Sequence, residues 1–106
     1  MISVLIVAPP REDLAELVGR HPSVEILRAR DLEETLEKLG RNRRIDAVLL
    51  LSGKDSAEIA AGIREEDPGA PPLFAPASAG SLSGIRSLPA EEPGRLLDLL
   101  ARELSS

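Results

Sequence analysis

The residues of this chain able to do chemistry fall in small, scattered groups. Glu12 and Asp13 form an acidic pair close behind the apolar run Val4-Leu5-Ile6-Val7-Ala8, and two carboxylates there could help hold a hard cation such as magnesium. The same pair falls in the first turn of a helix predicted from Pro10, where negative charge is favourable on dipole grounds alone. Asp55 and Glu58 follow a second apolar run, Ala47-Val48-Leu49-Leu50-Leu51. Their spacing is that of a capping box, which accounts for them without a metal.

Between that run and Asp55 lies Ser52-Gly53-Lys54. Its backbone amides, hydroxyl and ammonium make it a possible anion or ligand loop. It is not a Walker motif, because no glycine-rich run precedes Lys54 and Asp55 stands where a hydroxyl is needed. A plain turn is the simpler reading. The segment from Ser78 to Gly84 could wrap a ligand, although clusters of glycine and serine ordinarily form loops. His21 is the sole histidine and the chain has no cysteine, so zinc chemistry has almost no support. No serine sits in a recognisable nucleophile elbow.

Arg41, Arg43 and Arg44, with Lys38, are the densest basic feature. Following a helix, they suit its negative dipole end. A solvated surface is the first reading and a protein-docking patch the second. Nucleic acid is disfavoured by the formal net charge of -5 and by a single aromatic residue, Phe74, which leaves no stacking platform for bases.

The elements that must position these groups are legible from periodicity. Neither apolar run alternates and both are bounded by turn residues or charge, as expected of parallel strands buried on both faces. The first strand is predicted over Ile2 to Ala8 and the central one over Asp46 to Leu51. A helix from Pro10 would share Leu14, Leu17 and Val18 on one face and stop at Gly19. His21-Pro22 then turns the chain into Val24 to Leu27, whose partial alternation suggests an edge strand. Asp31 and Glu34 have capping-box spacing ahead of a stripe of Leu32, Leu36 and Leu39. Glu33, Glu34, Glu37 and Lys38 are expected to face water, with Gly40 as terminator. The helix after Asp55 should be short because Gly62 weakens it. Leu73 to Ala75 is a strand that Pro76 must end or distort. Residues 77 to 84 offer too little apolar surface for a firm helix. Ile85 to Leu88 reads as a last strand, and Pro93 opens a helix with Leu96, Leu97, Leu100 and Leu104 on one side.

Strand and helix patterns alternate, which argues for parallel pairing with right-handed crossovers. The expected fold is therefore a three-layer α/β structure with a five-stranded parallel sheet, and its fourth helix is shortened or irregular. At 106 residues a single domain over 1–106 is expected, with a radius of gyration of about 13 Å. A hydrophobic fraction of 42% against 29% charged excludes an obviously disordered chain. The N-terminus lacks the positive leader of a signal peptide, and no stretch approaches the roughly 20 apolar residues that span a bilayer. A cytoplasmic protein is expected.

The order of elements resembles the CheY-like receiver domain of two-component response regulators over nearly the whole chain. Ile2 to Arg11 looks like the opening strand and loop, and Asp46 to Leu51 like the strand carrying the phosphorylated aspartate. Gly84 to Ala90, followed by Pro93 and its leucine-rich helix, looks like the closing strand and helix. The resemblance implies an acidic pair near Ala8 and Pro9, a phosphoacceptor at Leu51, a hydroxyl near Ala75 or Pro76 and a lysine at about Ala90. None of these residue types is present there. A metal ion held by carboxylates, and phosphoryl transfer to one of them, both lose their ligands.

The chain thus looks like a pseudoreceiver: a regulatory module without enzymatic activity that contacts a protein partner or an output domain. It is expected to need no cofactor and to bind no membrane. A homodimer through Leu96, Leu97 and Leu100, or docking through Arg41, Arg43 and Arg44, fits that role. Two alternatives stay open. One is a small ligand-binding domain or enzyme of another flavodoxin-like class, built on Ser52, Lys54 and residues 78 to 84. The other is a module detached from a longer regulator.

Overall fold

The computed structural model describes residues 2–9, 24–41, 44–51, 55–77, 84–90 and 92–105, with the side chains of Pro93 and Ser105 left aside. Five strands make one parallel sheet: β1 Ile2–Val7, β2 Val24–Ala29, β3 Ala47–Leu50, β4 Leu73–Pro76 and β5 Arg86–Leu88. Their order is β2-β1-β3-β4-β5, the flavodoxin-like doubly wound arrangement. Three helices are described: α1 Leu32–Arg41, α2 Ser56–Glu66 and α3 Pro93–Ser105. None of the described helices is long and apolar enough to cross a membrane.

The central strands are buried on both faces because successive side chains point to opposite sides of a sheet. Val4, Ile6, Ala47, Leu49 and Phe74 join one cluster with Leu96, Leu97 and Leu100 of α3. Leu5, Val7, Val48, Leu50, Leu73 and Ala75 join the other with Leu39 of α1 and Ile59 and Ile63 of α2. Helices on both faces are why the two apolar runs show no alternation. β2 is an edge strand, as expected, and extends to Ala29, two residues further than its alternation suggested.

Several local expectations need correction. Asp31 caps α1, with its carboxylate accepting the Glu34 amide at 2.9 Å. The reciprocal arm misses: Glu34 accepts from the backbone and Nε of Arg30, at 3.3 and 2.7 Å, instead of from the Asp31 amide. The buried face of α1 is Thr35 and Leu39, while Leu32 and Leu36 are half-buried. Thr35 fits there because its hydroxyl donates to the Asp31 carbonyl at 2.7 Å. Glu34 and Lys38 are likewise half-buried, not fully in water.

Gly40 does not end α1, which runs on to Arg41. Nor does Gly62 shorten α2, an 11-residue helix. Its missing side chain leaves room for Leu32 of α1, whose Cγ lies 3.2 Å from where a Cβ would stand. Asp55 makes no side-chain cap and already has helical backbone angles, so the second capping box does not form. Pro76 is tolerated because it is the last residue of β4 and pairs with Leu88 of β5, beyond the β3 ladder.

The helix expected from Pro10, the turn at His21-Pro22 and the segment 78–83 lie outside the described residues. So do Glu12, Asp13, Arg43, Ser52, Gly53 and Lys54.

Candidate functional site

In open parallel sheets ligands bind beyond the carboxyl ends of the strands. β1 delivers Ala8 and Pro9 to that rim, β3 delivers Leu51, β4 ends at Pro76, and Ala90 follows β5. The rim is stitched by backbone bonds: the Ala8 amide donates to the Ala29 carbonyl at 2.9 Å and the Leu51 amide to Val7 at 2.8 Å. The Ala90 amide donates to Leu88, also at 2.8 Å.

Ala8 is 5% exposed and belongs to the α3-side cluster, against which Leu51 and Ala90 also pack. Three of the five rim positions singled out from sequence are therefore extensions of the core. Leu51 is half-buried. None of the five carries an ionisable or hydroxyl group, and among the described residues no group of three or more acidic or histidine side chains could hold a metal ion.

The helix packed beneath this rim corrects one docking expectation. Leu96, Leu97 and Leu100 are at most 1% exposed, because they fill the α3-side core and leave nothing for a partner to touch. Of the basic connection, Arg41 and Arg44 are exposed, and Arg41 Nη2 lies 3.1 Å from Glu37 one helical turn away. Arg30 is similarly engaged: its hydrogen bond to Glu34, then the charge of Glu34, raise the guanidinium above its ordinary value.

Polar features that sequence reading missed lie elsewhere. At the amino edge of the sheet, Asp46 Oδ2 accepts from the Ser3 amide at 2.8 Å, and the Asp46 amide donates to the Ser3 carbonyl at 2.8 Å. Asp46 therefore clamps the start of β3 to β1, at the opposite end from Leu51. At the first position of α2, Ser56 is fully buried and its hydroxyl has no hydrogen-bond partner among the described residues. The signal was available, since Ser56, Ile59, Ala60 and Ile63 have the i, i+3, i+4, i+7 spacing of one buried helix face.

No family model matches the sequence, and no curated protein matches it. Solved structures do. One chain of the crystal structure of the phosphorylated P1 domain of CheA3 in complex with CheY6 from R. sphaeroides superposes with a TM-score of 0.65. Its identity is 18%, over 99% of this chain and 98% of that one. The fold is that of a CheY-like receiver. A similar fold is found within a larger polypeptide. The lysine decarboxylase LdcF of Francisella novicida matches 97% of this chain with 17% of its own length, at 17% identity and a TM-score of 0.56.

Proposed function

We propose that this chain is a regulatory module that acts by protein contact on a receiver scaffold and is not phosphorylated at the usual position. One observation carries the reading: the rim at the ends of β1 and β3 presents Ala8, Pro9 and Leu51, and Ala8 and Leu51 are packed with the core. Forming an acyl phosphate requires a carboxylate, and Leu51 supplies none. Without acidic ligands a magnesium ion has little to hold it beside the phosphoryl group. Ala90 offers no ammonium to sense a charge there.

What remains is a folded scaffold with a charged surface. The R. sphaeroides structure is a complex with a domain of another protein, which supports a protein partner or an output domain as the target here. The match within a decarboxylase chain supports a module of a larger assembly equally well.

The test is incubation of the purified protein with magnesium and acetyl phosphate, followed by intact mass measurement under conditions that preserve acyl phosphates. The unmodified mass is expected throughout. A stoichiometric phosphoryl adduct would overturn the proposal.

A further inference from the structure

At the amino edge of the sheet, opposite the Leu51 rim, a cleft of about 430 Å³ opens between the start of β1 and β2 and the end of α1. That volume falls within the range of about 300–1,000 Å³ typical of small-molecule sites. Its lining carries opposite charges. Glu25 is exposed, and among the described residues its carboxylate accepts from the Ser3 hydroxyl alone, at 3.3 Å. Arg44 is exposed and without an ion pair to any described residue. Arg41 also lines the cleft but is already engaged by Glu37.

Glu25 and Arg44 thus share one cleft without forming an ion pair to each other. A simple anion entering it would meet Glu25, and a simple cation would meet Arg44. A guest with both charges satisfies both side chains, its carboxylate on the guanidinium fork and its ammonium on the carboxylate. Leu27, half-buried, and Ile45, 7% exposed, line the same cleft and give an aliphatic side chain apolar neighbours. We infer that this cleft binds a small aliphatic zwitterion of the free α-amino acid class. The inference is independent of the phosphorylation reading, since it concerns the other end of the sheet.

The experiment is a titration of the isotope-labelled full chain with L-leucine, followed by amide chemical shifts, beside two analogues. One is 4-methylpentanoate, which lacks the ammonium, and the other is isoamylamine, which lacks the carboxylate. Saturable shifts at Ser3, Glu25, Leu27 and Ile45 are expected with L-leucine, with a Kd of about 1 mM and about tenfold weaker binding of each analogue. Arg44→Gln should bring leucine down to the level of isoamylamine, and Glu25→Gln to the level of 4-methylpentanoate. Linear, unsaturated shifts with leucine up to about 20 mM, equal binding of either analogue, or a leucine affinity unchanged by either substitution would overturn the inference. None of these outcomes bears on the acetyl phosphate test.

Discussion

At Leu51 a half-buried side chain packs on the α3-side cluster, in the position where the receiver resemblance calls for a nucleophile. An aspartate there would lose apolar contact and place a partly desolvated carboxylate beside Ala8. Leu51→Asp is therefore expected to lower stability by about 1–3 kcal/mol, read as a lower urea midpoint at unchanged slope. It should still gain no phosphoryl group from acetyl phosphate, because Ala8 and Pro9 leave the metal without ligands. Ser56 makes the opposite case. Its buried hydroxyl has no partner among the described residues, so Ser56→Ala should remove an unsatisfied group and stabilise the fold by about 1 kcal/mol. An unchanged or lower midpoint would show that the hydroxyl has a use in the folded chain.

The helices differ in how they are held. α1 depends on its cap: Asp31→Ala removes the acceptor of the Glu34 amide and should cost about 1 kcal/mol in chemical denaturation. α1 and α2 meet where Leu32 lies over Gly62. Alanine at that exposed-to-core boundary would gain about 1 kcal/mol of helix propensity but would collide with the Leu32 side chain. Gly62→Ala should consequently be neutral or destabilising in the native background and stabilising once Leu32→Ala opens the space. A double-mutant cycle measures that coupling. α3 is anchored by its leucines, and Leu100, fully buried, should cost about 2–5 kcal/mol when truncated to alanine. The same burial removes Leu96, Leu97 and Leu100 from any account of partner binding.

Across the whole molecule the protection of the backbone should follow strand order. β1 and β3 lie inside the sheet and are buried on both faces, whereas β5 is a three-residue edge strand with two exposed positions. Native-state hydrogen exchange is expected to be slowest at Leu5, Ile6, Val48 and Leu49 and markedly faster at Arg86 and Ser87. Protection at β5 equal to that of β1 would mean that its outer edge is covered in solution. The radius of gyration of 12.4 Å is close to the length-based expectation of about 13 Å.

Read alone, the sequence determined the layers and the character of the rim. Continuous apolar runs such as Val4 to Ala8 can be stable only when both faces are covered, and the residue types at Ala8, Pro9 and Leu51 need no coordinates to be recognised as chemically inert. The tertiary structure decided what depends on distant neighbours. Gly62 sits inside a helix because Leu32 fills its place, and Asp46 became a clamp because Ser3 lies beside it. Asp55 has capping spacing yet no cap, while Leu96, Leu97 and Leu100 turned from a surface into a core. The reason is physical: periodicity records which side of an element is apolar, but only packing fixes which groups meet across elements and which polar atoms find a partner.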